Sequence, residues 1–372
     1  MIDMDSGYSL FDLLPEEEAA RFKPLKSDDW KWTFADYPKE KNGIKVFSCF
    51  ACGGGSTMGY KLAGCDVIGC CEIDPKMNEL YVKNHNPKYN FLMDIRDFNN
   101  IPNDELPKEL LDLDILDGSP PCTSFSMAGV REEGWGKKKK FREGQKEQTL
   151  DDLSFIFINT VKKLQPRVVV MENVEGLILG EAFNYVQKIY RQFDEAGYIV
   201  HHWLMRGELM GIPQTRCRVI FVACRKDMGI NPAGLRMDFN YEKIPFGECR
   251  DVSGMLRDTE YQERMLKYYK PGDTVLEDIN KRIGKTGGYT NHIVYDEEIC
   301  PTITANSQIF RACDRLHFSD KDMTAVQTFP QDYDFLNEKA MYVCGMSVPP
   351  VMMKRIVMRL IEEGVFKYKG VS

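Results

Sequence analysis

Short apolar runs alternating with helical stretches between Ile44 and Ala223 constrain this chain more than any other feature. Val46 to Phe50, Val67 to Cys71, Phe91 to Met93, Leu113 to Leu116, Val168 to Met171 and Val219 to Ala223 read as short buried strands. Between them, Thr57 to Ala63, Pro75 to Asn84, Ile156 to Leu164 and Phe183 to Ala196 carry apolar residues at helical spacing. Strand, helix, strand in that rhythm predicts an α/β fold built on a doubly wound, mostly parallel sheet. Such sheets keep their ligands beyond the carboxyl ends of the strands, so the residues that follow each apolar run are the candidate site.

A chain of 372 residues with 43% hydrophobic content supports about two globular domains. After Arg225 the alternation fades into a stretch rich in Gly, Pro, charge and aromatics that lasts to about Cys300. Expected divisions are therefore an extension at 1–43, a first domain at 44–225, a smaller inserted domain at 226–299, and a segment at 300–372 that mostly returns to the first domain. The extension is acidic and aromatic, with a helix expected from Leu14 to Phe22 and tryptophans at Trp30 and Trp32, and its composition assigns it no role. Near the other end, Pro349 to Glu363 has the pattern of an amphipathic helix.

No apolar run nears the roughly 20 residues that span a bilayer, and the acidic amino terminus is unlike a signal peptide. A soluble cytoplasmic protein with no membrane partner is expected. The 12 cysteines are scattered among apolar neighbours, as reduced thiols would be. Cys49-Phe50-Ala51-Cys52 has the spacing of half a metal site, yet no matching pair follows, so no metal is expected. With 49 Lys and Arg against 56 Asp and Glu, the net charge of −7 argues against nonspecific coating of nucleic acid. It leaves room for local basic surfaces, at Lys137, Lys138, Lys139 and Lys140 and again from Lys281 to Tyr289.

Chemistry-bearing residues sit at the strand ends. Gly53, Gly54 and Gly55 follow the first strand and open a helix, where backbone can approach a ligand. Glu72 ends the next strand, placed to accept hydrogen bonds from ribose hydroxyls, and Asp94 ends the third, within reach of an adenine amino group. Helix capping is the competing account of both carboxylates. Asp117-Gly118-Ser119-Pro120-Pro121 leaves the thiol of Cys122 beyond the fourth strand, and Glu172-Asn173 ends the fifth. A cysteine after a strand is more often a buried small hydrophobe than a nucleophile, and Arg216 and Arg218 could equally form surface ion pairs.

The order of the motifs decides between these accounts. Phe50-Ala51-Cys52-Gly53-Gly54-Gly55, Ser119-Pro120-Pro121-Cys122, Glu172-Asn173-Val174, Gln214-Thr215-Arg216-Cys217-Arg218 and Gly345-Met346-Ser347-Val348-Pro349-Pro350 come in an order that closely resembles the DNA cytosine 5-methyltransferase family, from about Lys45 to Ile356. The resemblance implies a Rossmann-like, S-adenosylmethionine-dependent catalytic domain at 44–225 and target recognition at 226–299. It implies methyl transfer to carbon 5 of cytosine in a specific double-stranded DNA sequence, with S-adenosylhomocysteine as product. Phe50, Gly53, Gly54, Gly55, Glu72, Ile73, Asp94, Ile95, Pro121, Leu153 and Ser347 would hold the cofactor. Ser48, Cys52 and Met346 depart from the Asp, Gly and Asn common at those family positions.

By the same resemblance, Cys122 is the nucleophile on carbon 6, Glu172 binds ring nitrogen 3 and the exocyclic amine, and Arg216 and Arg218 hold the extruded base. Protonation of Glu172 at neutral pH would need burial to raise its pKa. Thr123 to Gln148 reads as a closing segment whose Ser124, Ser126 and Lys137 to Lys140 meet the DNA backbone. Lys285, Thr286, Gly287, Gly288 and Tyr289, with Asn291 and His292 beside them, are candidates for reading base edges. A monomer of bacterial or phage type is expected, for which a cognate restriction endonuclease is a candidate partner. Two other readings stay open: a transfer RNA cytosine-5 methyltransferase, against which the absence of a Cys-Phe-Thr tripeptide after Arg225 speaks, and a catalytically silent DNA-binding regulator.

Overall fold

The structure, a computed structural model, describes residues 23–121, 153–179, 183–306 and 308–366. The helix expected from Leu14 to Phe22, the thiol of Cys122, and Ser124, Ser126 and Lys137 to Lys140 lie outside the described residues. The first half alternates as the sequence predicts: β1 (Lys45–Cys49), α1 (Gly55–Leu62), β2 (Asp66–Glu72), α2 (Pro75–His85), β3 (Tyr89–Leu92), α3 (Ile95–Asn100) and β4 (Ile115–Gly118). Then come α4 (Leu153–Leu164), β5 (Val168–Val174), α5 (Phe183–Glu195), β6 (Tyr198–Arg206) and β7 (Cys217–Arg225).

These strands form one seven-stranded sheet in the order β3-β2-β1-β4-β5-β7-β6. Neighbours from β3 to β5 are parallel, and only β7 is reversed, antiparallel to both β5 and β6. The fold is α/β, with helices on both faces. Alternation along β5 explains the layering: Val168 and Val170 point to one side and Val169 and Met171 to the other. The first pair packs with Tyr60, Met352 and Ile356, and the second with Phe157, Ile189 and Phe193. Strand β6 is absent from the expected strands. It lies at the sheet edge, where His201, His202 and Trp203 are only partly covered, so its sequence lacks the apolar run that marks the central strands.

Within the region expected as an inserted domain, Met237 packs with Val46 and Val168, and α6 (Phe246–Cys249) gives Phe246 and Cys249 to the core that holds Trp30 and Met58, whereas α7 (Glu260–Tyr268), α8 (Leu276–Arg282) and β8 (His292–Val294), which pairs in parallel with β9 (Ile309–Arg311), build a smaller body. Met265, Leu276, Ile279, Ile293 and Phe310 form its separate core. The chain then returns through α9 (Asp320–Val326), α10 (Ala340–Met346) and α11 (Pro350–Glu362). Helix α11 lies against α1 at Gly59, where a methyl group would come within 2.4 Å of the Pro350 carbonyl oxygen. Only glycine permits that approach. The amino-terminal extension belongs to the main body, with Trp30 and Trp32 buried beside Phe329 and Val343. Its Asp29 forms ion pairs with Arg355 at 2.6 Å and Lys354 at 3.0 Å on α11.

Candidate active site

The carboxyl ends of β1, β2, β3 and β4 surround a crevice that is open to solvent. Phe50, Glu72, Ile73, Asp94, Ile95, Pro121 and Leu153, all expected from the sequence at a cofactor site, line it. Cys71, Asp74, Met77, Met93, Ser119 and Tyr342 join them without having been expected, as do the two unusual residues Cys52 and Met346. Cys71, Met77 and Met93 carry no polar signature that single-sequence reasoning could have caught.

Gly53, Gly54 and Gly55 stand behind this wall. Added methyl groups would meet Val343 Cγ1 at 2.5 Å, His85 Nε2 at 2.0 Å and the Val348 carbonyl oxygen at 2.1 Å, respectively. The glycines are therefore needed because protein packs against their backs, and Gly54 also has a φ of +83°. On either side of Ala51, Phe50 and Cys52 adopt left-handed backbone, with φ of 57° and 46°. Side chains pay about 1–2 kcal/mol for that conformation, and Glu72 helps to hold it. Its carboxylate accepts the Cys52 amide at 2.8 Å and the Asp74 amide at 2.8 Å. Burial pushes the Glu72 pKa up against those hydrogen bonds.

Capping is divided between neighbours. Asp74, not Glu72, caps α2, accepting the amides of Lys76 and Met77. Asp94 caps α3 through the Arg96 amide at 2.8 Å and also pairs with the Arg96 guanidinium at 3.2 Å. Glu72 and Asp94 still face the crevice, flanked by Phe50, Ile73 and Ile95. Two acceptors between apolar walls suit the hydroxyls, amine and ring of an adenosine.

Glu172 lies at the end of β5, 8% exposed, with Oε1 2.7 Å from Arg218 Nε on β7. The antiparallel register makes this contact: Arg218 lies opposite Val174, two residues along from Glu172 and on the same face. Asn173 donates to the Pro120 carbonyl at 3.2 Å, so the end of β5 is tied to the segment that leads into Cys122. Arg216 goes elsewhere. Its guanidinium is 2% exposed and donates to the carbonyls of Ile303 at 2.9 Å and Gly345 at 3.2 Å. Beside it, the buried Gln214 donates to Gln327 Oε1 at 2.9 Å and Gln327 donates to the Ser347 carbonyl at 2.7 Å. This amide relay was not anticipated, although Gln214 lies in the motif that carries Arg216.

A further buried carboxylate, Asp117, sits on β4 directly opposite Ser48 on β1. Ser48 donates to it at 2.7 Å and Tyr60 at 3.1 Å. Burial raises its pKa to about 7, those hydroxyls oppose the rise, and the charge of Glu172 adds to it. The folded protein therefore retains a proton that the unfolded chain releases near pH 4. The stability this contributes is present below that pH and is lost as pH rises through about 7. Asp117→Asn keeps the neutral form, so its stability relative to wild type should climb between those limits by on the order of 4 kcal/mol. Denaturation midpoints of both proteins at pH 5, 6, 7 and 8 test this. A difference independent of pH would contradict it.

In the smaller body, Lys285, Thr286, Gly287 and Tyr289 form an exposed loop, Tyr289 being 64% exposed. Gly287 and Gly288 have φ of +81° and +95°, and the buried Asn280 clamps the loop by donating to the Gly287 carbonyl at 2.8 Å. Asn291 is turned inward, accepting the Gln308 amide at 3.1 Å. Among the described residues, the cysteines are free thiols and no His, Cys, Asp or Glu cluster could hold a metal ion. None of the described helices is long and apolar enough to cross a membrane.

Residues 44–362 match the family model of the C-5 cytosine-specific DNA methylases. The chain belongs to that family. It is by family a DNA (cytosine-5-)-methyltransferase, and the family is S-adenosylmethionine-dependent. It is similar to the Type II methyltransferase M.FnuDI of Fusobacterium nucleatum, 34% identical over 50% of this chain and 49% of the relative, and so spans about half the length of that protein. It is also 26% identical to the Type II methyltransferase M1.HphI of Haemophilus parahaemolyticus, over 84% of this chain and 85% of the relative. Among solved structures, DNMT2 of Spodoptera frugiperda shares the fold with a TM-score of 0.60 and 16% identity, over 86% of this chain and all of the other.

Proposed function

We propose that this methylase transfers a methyl group to carbon 5 of cytosine within a specific double-stranded DNA sequence, through a covalent adduct of Cys122. What supports the reading most is the proximity of three features: the crevice bearing Glu72 and Asp94, the Glu172–Arg218 pair, and the Asn173 tie to the segment entering Cys122. Carbon 5 of cytosine is a weak nucleophile, so a thiolate must first add to carbon 6 and push electron density toward carbon 5 and ring nitrogen 3. Glu172 receives nitrogen 3 and the exocyclic amine, and Arg218 beside it faces the ring carbonyl. S-adenosylmethionine, when bound, supplies a methyl group on a sulfonium, for which the activated carbon 5 is a competent acceptor. Loss of the carbon 5 proton to a base then expels the Cys122 thiolate and restores the ring.

Phe50, Glu72, Ile73, Asp94, Ile95 and Leu153 would hold the cofactor. Gly53, Gly54, Gly55 and Ser347 would shape its wall from behind, and Arg216 would brace that wall through Gly345. The cytosine must leave the duplex to reach these groups, at a cost of a few kcal/mol. Ser124, Ser126 and Lys137 to Lys140 are proposed to meet the DNA backbone. Residues 226–299 are proposed to recognise the target, with Lys285 to Tyr289 on base edges.

The test is to incubate the protein with unmethylated DNA and S-adenosylmethionine, and separately with RNA, and to analyse nucleosides by mass spectrometry and positions by base-resolution sequencing. 5-Methylcytosine in one short DNA context is expected. Methylation of RNA alone, or binding of DNA without methylation, would overturn the reading.

A further inference from the structure

We propose that the amino-terminal strap Trp30 to Tyr37 positions the cofactor loop by buttressing His85 and Tyr333, the two side chains that clamp the Gly53 carbonyl. The strap lies outside residues 44–362, the span of the family match, so its role is not given by the family. This inference rests on the reading of the crevice beside Phe50 and Cys52 as the cofactor site.

The clamp is explicit. Tyr333 donates its hydroxyl to the Gly53 carbonyl oxygen at 2.8 Å, and His85 Nε2 lies 3.1 Å from the same atom. Both lone pairs of that oxygen are thus engaged. His85 is buried and its Nδ1 has no partner among the described residues, while burial lowers its pKa to about 3. A neutral ring protonated on Nε2 satisfies this geometry as the donor. Because His85 also fills the space behind Gly54, any shift of the imidazole moves the loop that presents Phe50 and Cys52 to the crevice.

The strap holds both rings from outside. Phe34 contacts His85 at 6.2 Å and Tyr333 at 6.3 Å between ring centroids, meeting the imidazole edge-on. Trp32 and Tyr37 pack beside Phe34 at 6.1 and 5.8 Å. Independent anchors fix the strap in place: Trp32 Nε1 donates to the Thr328 carbonyl at 2.8 Å, and the Phe34 amide donates to Asp332 at 3.0 Å. Its contacts therefore converge on the segment that carries Tyr333, and through it on one backbone oxygen of the cofactor loop.

Four variants of the full chain separate the possibilities: Tyr333→Phe, which removes one donor at nearly constant volume, Phe34→Ala, which removes the buttress, Phe34→Tyr, which keeps it, and Glu72→Ala as a control within the crevice. Affinity for S-adenosylhomocysteine is measured by calorimetry, and affinity for duplex DNA without cofactor by titration. Tyr333→Phe and Phe34→Ala should each weaken S-adenosylhomocysteine binding about 3- to 10-fold, the equivalent of one hydrogen bond, with DNA affinity unchanged and Phe34→Tyr restoring the loss. Wild-type cofactor affinity in both, with binding lost in Glu72→Ala, overturns the strap inference alone. Equal loss of cofactor and DNA binding also overturns it, since general loosening then explains both. Unaltered binding in Glu72→Ala would instead sink the reading of the crevice itself.

Discussion

Cys122→Ser is expected to leave no measurable 5-methylcytosine, and Glu172→Gln to lower the rate of methyl transfer by about 10²- to 10⁴-fold. A serine hydroxyl is far less nucleophilic than a thiolate. Glutamine keeps the size of Glu172 but exchanges a charge-bearing acceptor for an amide. It also removes the charge that pairs with Arg218, which sits 2.7 Å away with its side chain 14% exposed. Single-turnover methylation at saturating cofactor, with DNA affinity measured beside it, isolates the chemical step. Retention of more than a tenth of the wild-type rate by Glu172→Gln, with binding intact, would remove Glu172 from the proposed role.

Arg311→Met should cost about 3–5 kcal/mol of stability, the largest structural loss expected from one substitution outside the site. Arg311 is 1% exposed and reaches Asp314 at 3.0 Å and Asp322 at 3.4 Å, and Asp322 itself is completely buried. Asp322 also accepts the amides of Asp251 and Ser319, each at 2.7 Å, and so ties the start of α9 to the smaller body. Removal of the guanidinium leaves a buried carboxylate with amides as its remaining described partners. Burial already raises the Asp322 pKa while Arg311 opposes the rise, so the variant should recover stability as pH falls and the carboxyl protonates. Adding Asp322→Asn to Arg311→Met should restore part of the loss by removing the unpaired charge, since the single amide oxygen can accept only one of the Asp251 and Ser319 amides. Chemical denaturation monitored separately near each body checks both expectations, and a single substitution costing under 1 kcal/mol would contradict them.

The layered sheet was legible because its central strands are covered on both faces and therefore read as unbroken apolar runs. Val168 to Met171 is the clearest case, each residue packing into one of two cores. Strand β6 was not legible for the converse reason. At an edge, His201, His202 and Trp203 satisfy a half-covered strand, and their pattern has neither continuous apolarity nor strict alternation. The reversal of β7 was equally hidden, because direction is set by the path of the connecting chain and leaves no mark on side-chain periodicity.

The candidate site divides the same way. Residue order alone brought Phe50, Glu72, Asp94 and Pro121 together as strand-end groups, since a parallel sheet gathers the carboxyl ends of its strands at one edge. Which carboxylate caps a helix, which braces a loop and which meets an arginine depended on distances of a few ångströms between segments far apart in sequence. Asp74 took the cap that Glu72 might have filled, Arg216 turned to carbonyls of Ile303 and Gly345, and Arg218 reached Glu172 across an antiparallel register. The amino-terminal strap makes the point most sharply. Its sequence shows aromatics and acid without periodicity, and its place against His85 and Tyr333 exists only because α2, α9 and α10 pack where they do. The sequence by itself marked the central strands of the sheet and the strand-end residues of the candidate site, because both follow from local periodicity and motif order. Tertiary structure decided the partners of each buried polar group, because burial makes every such group depend on whichever distant segment can satisfy it.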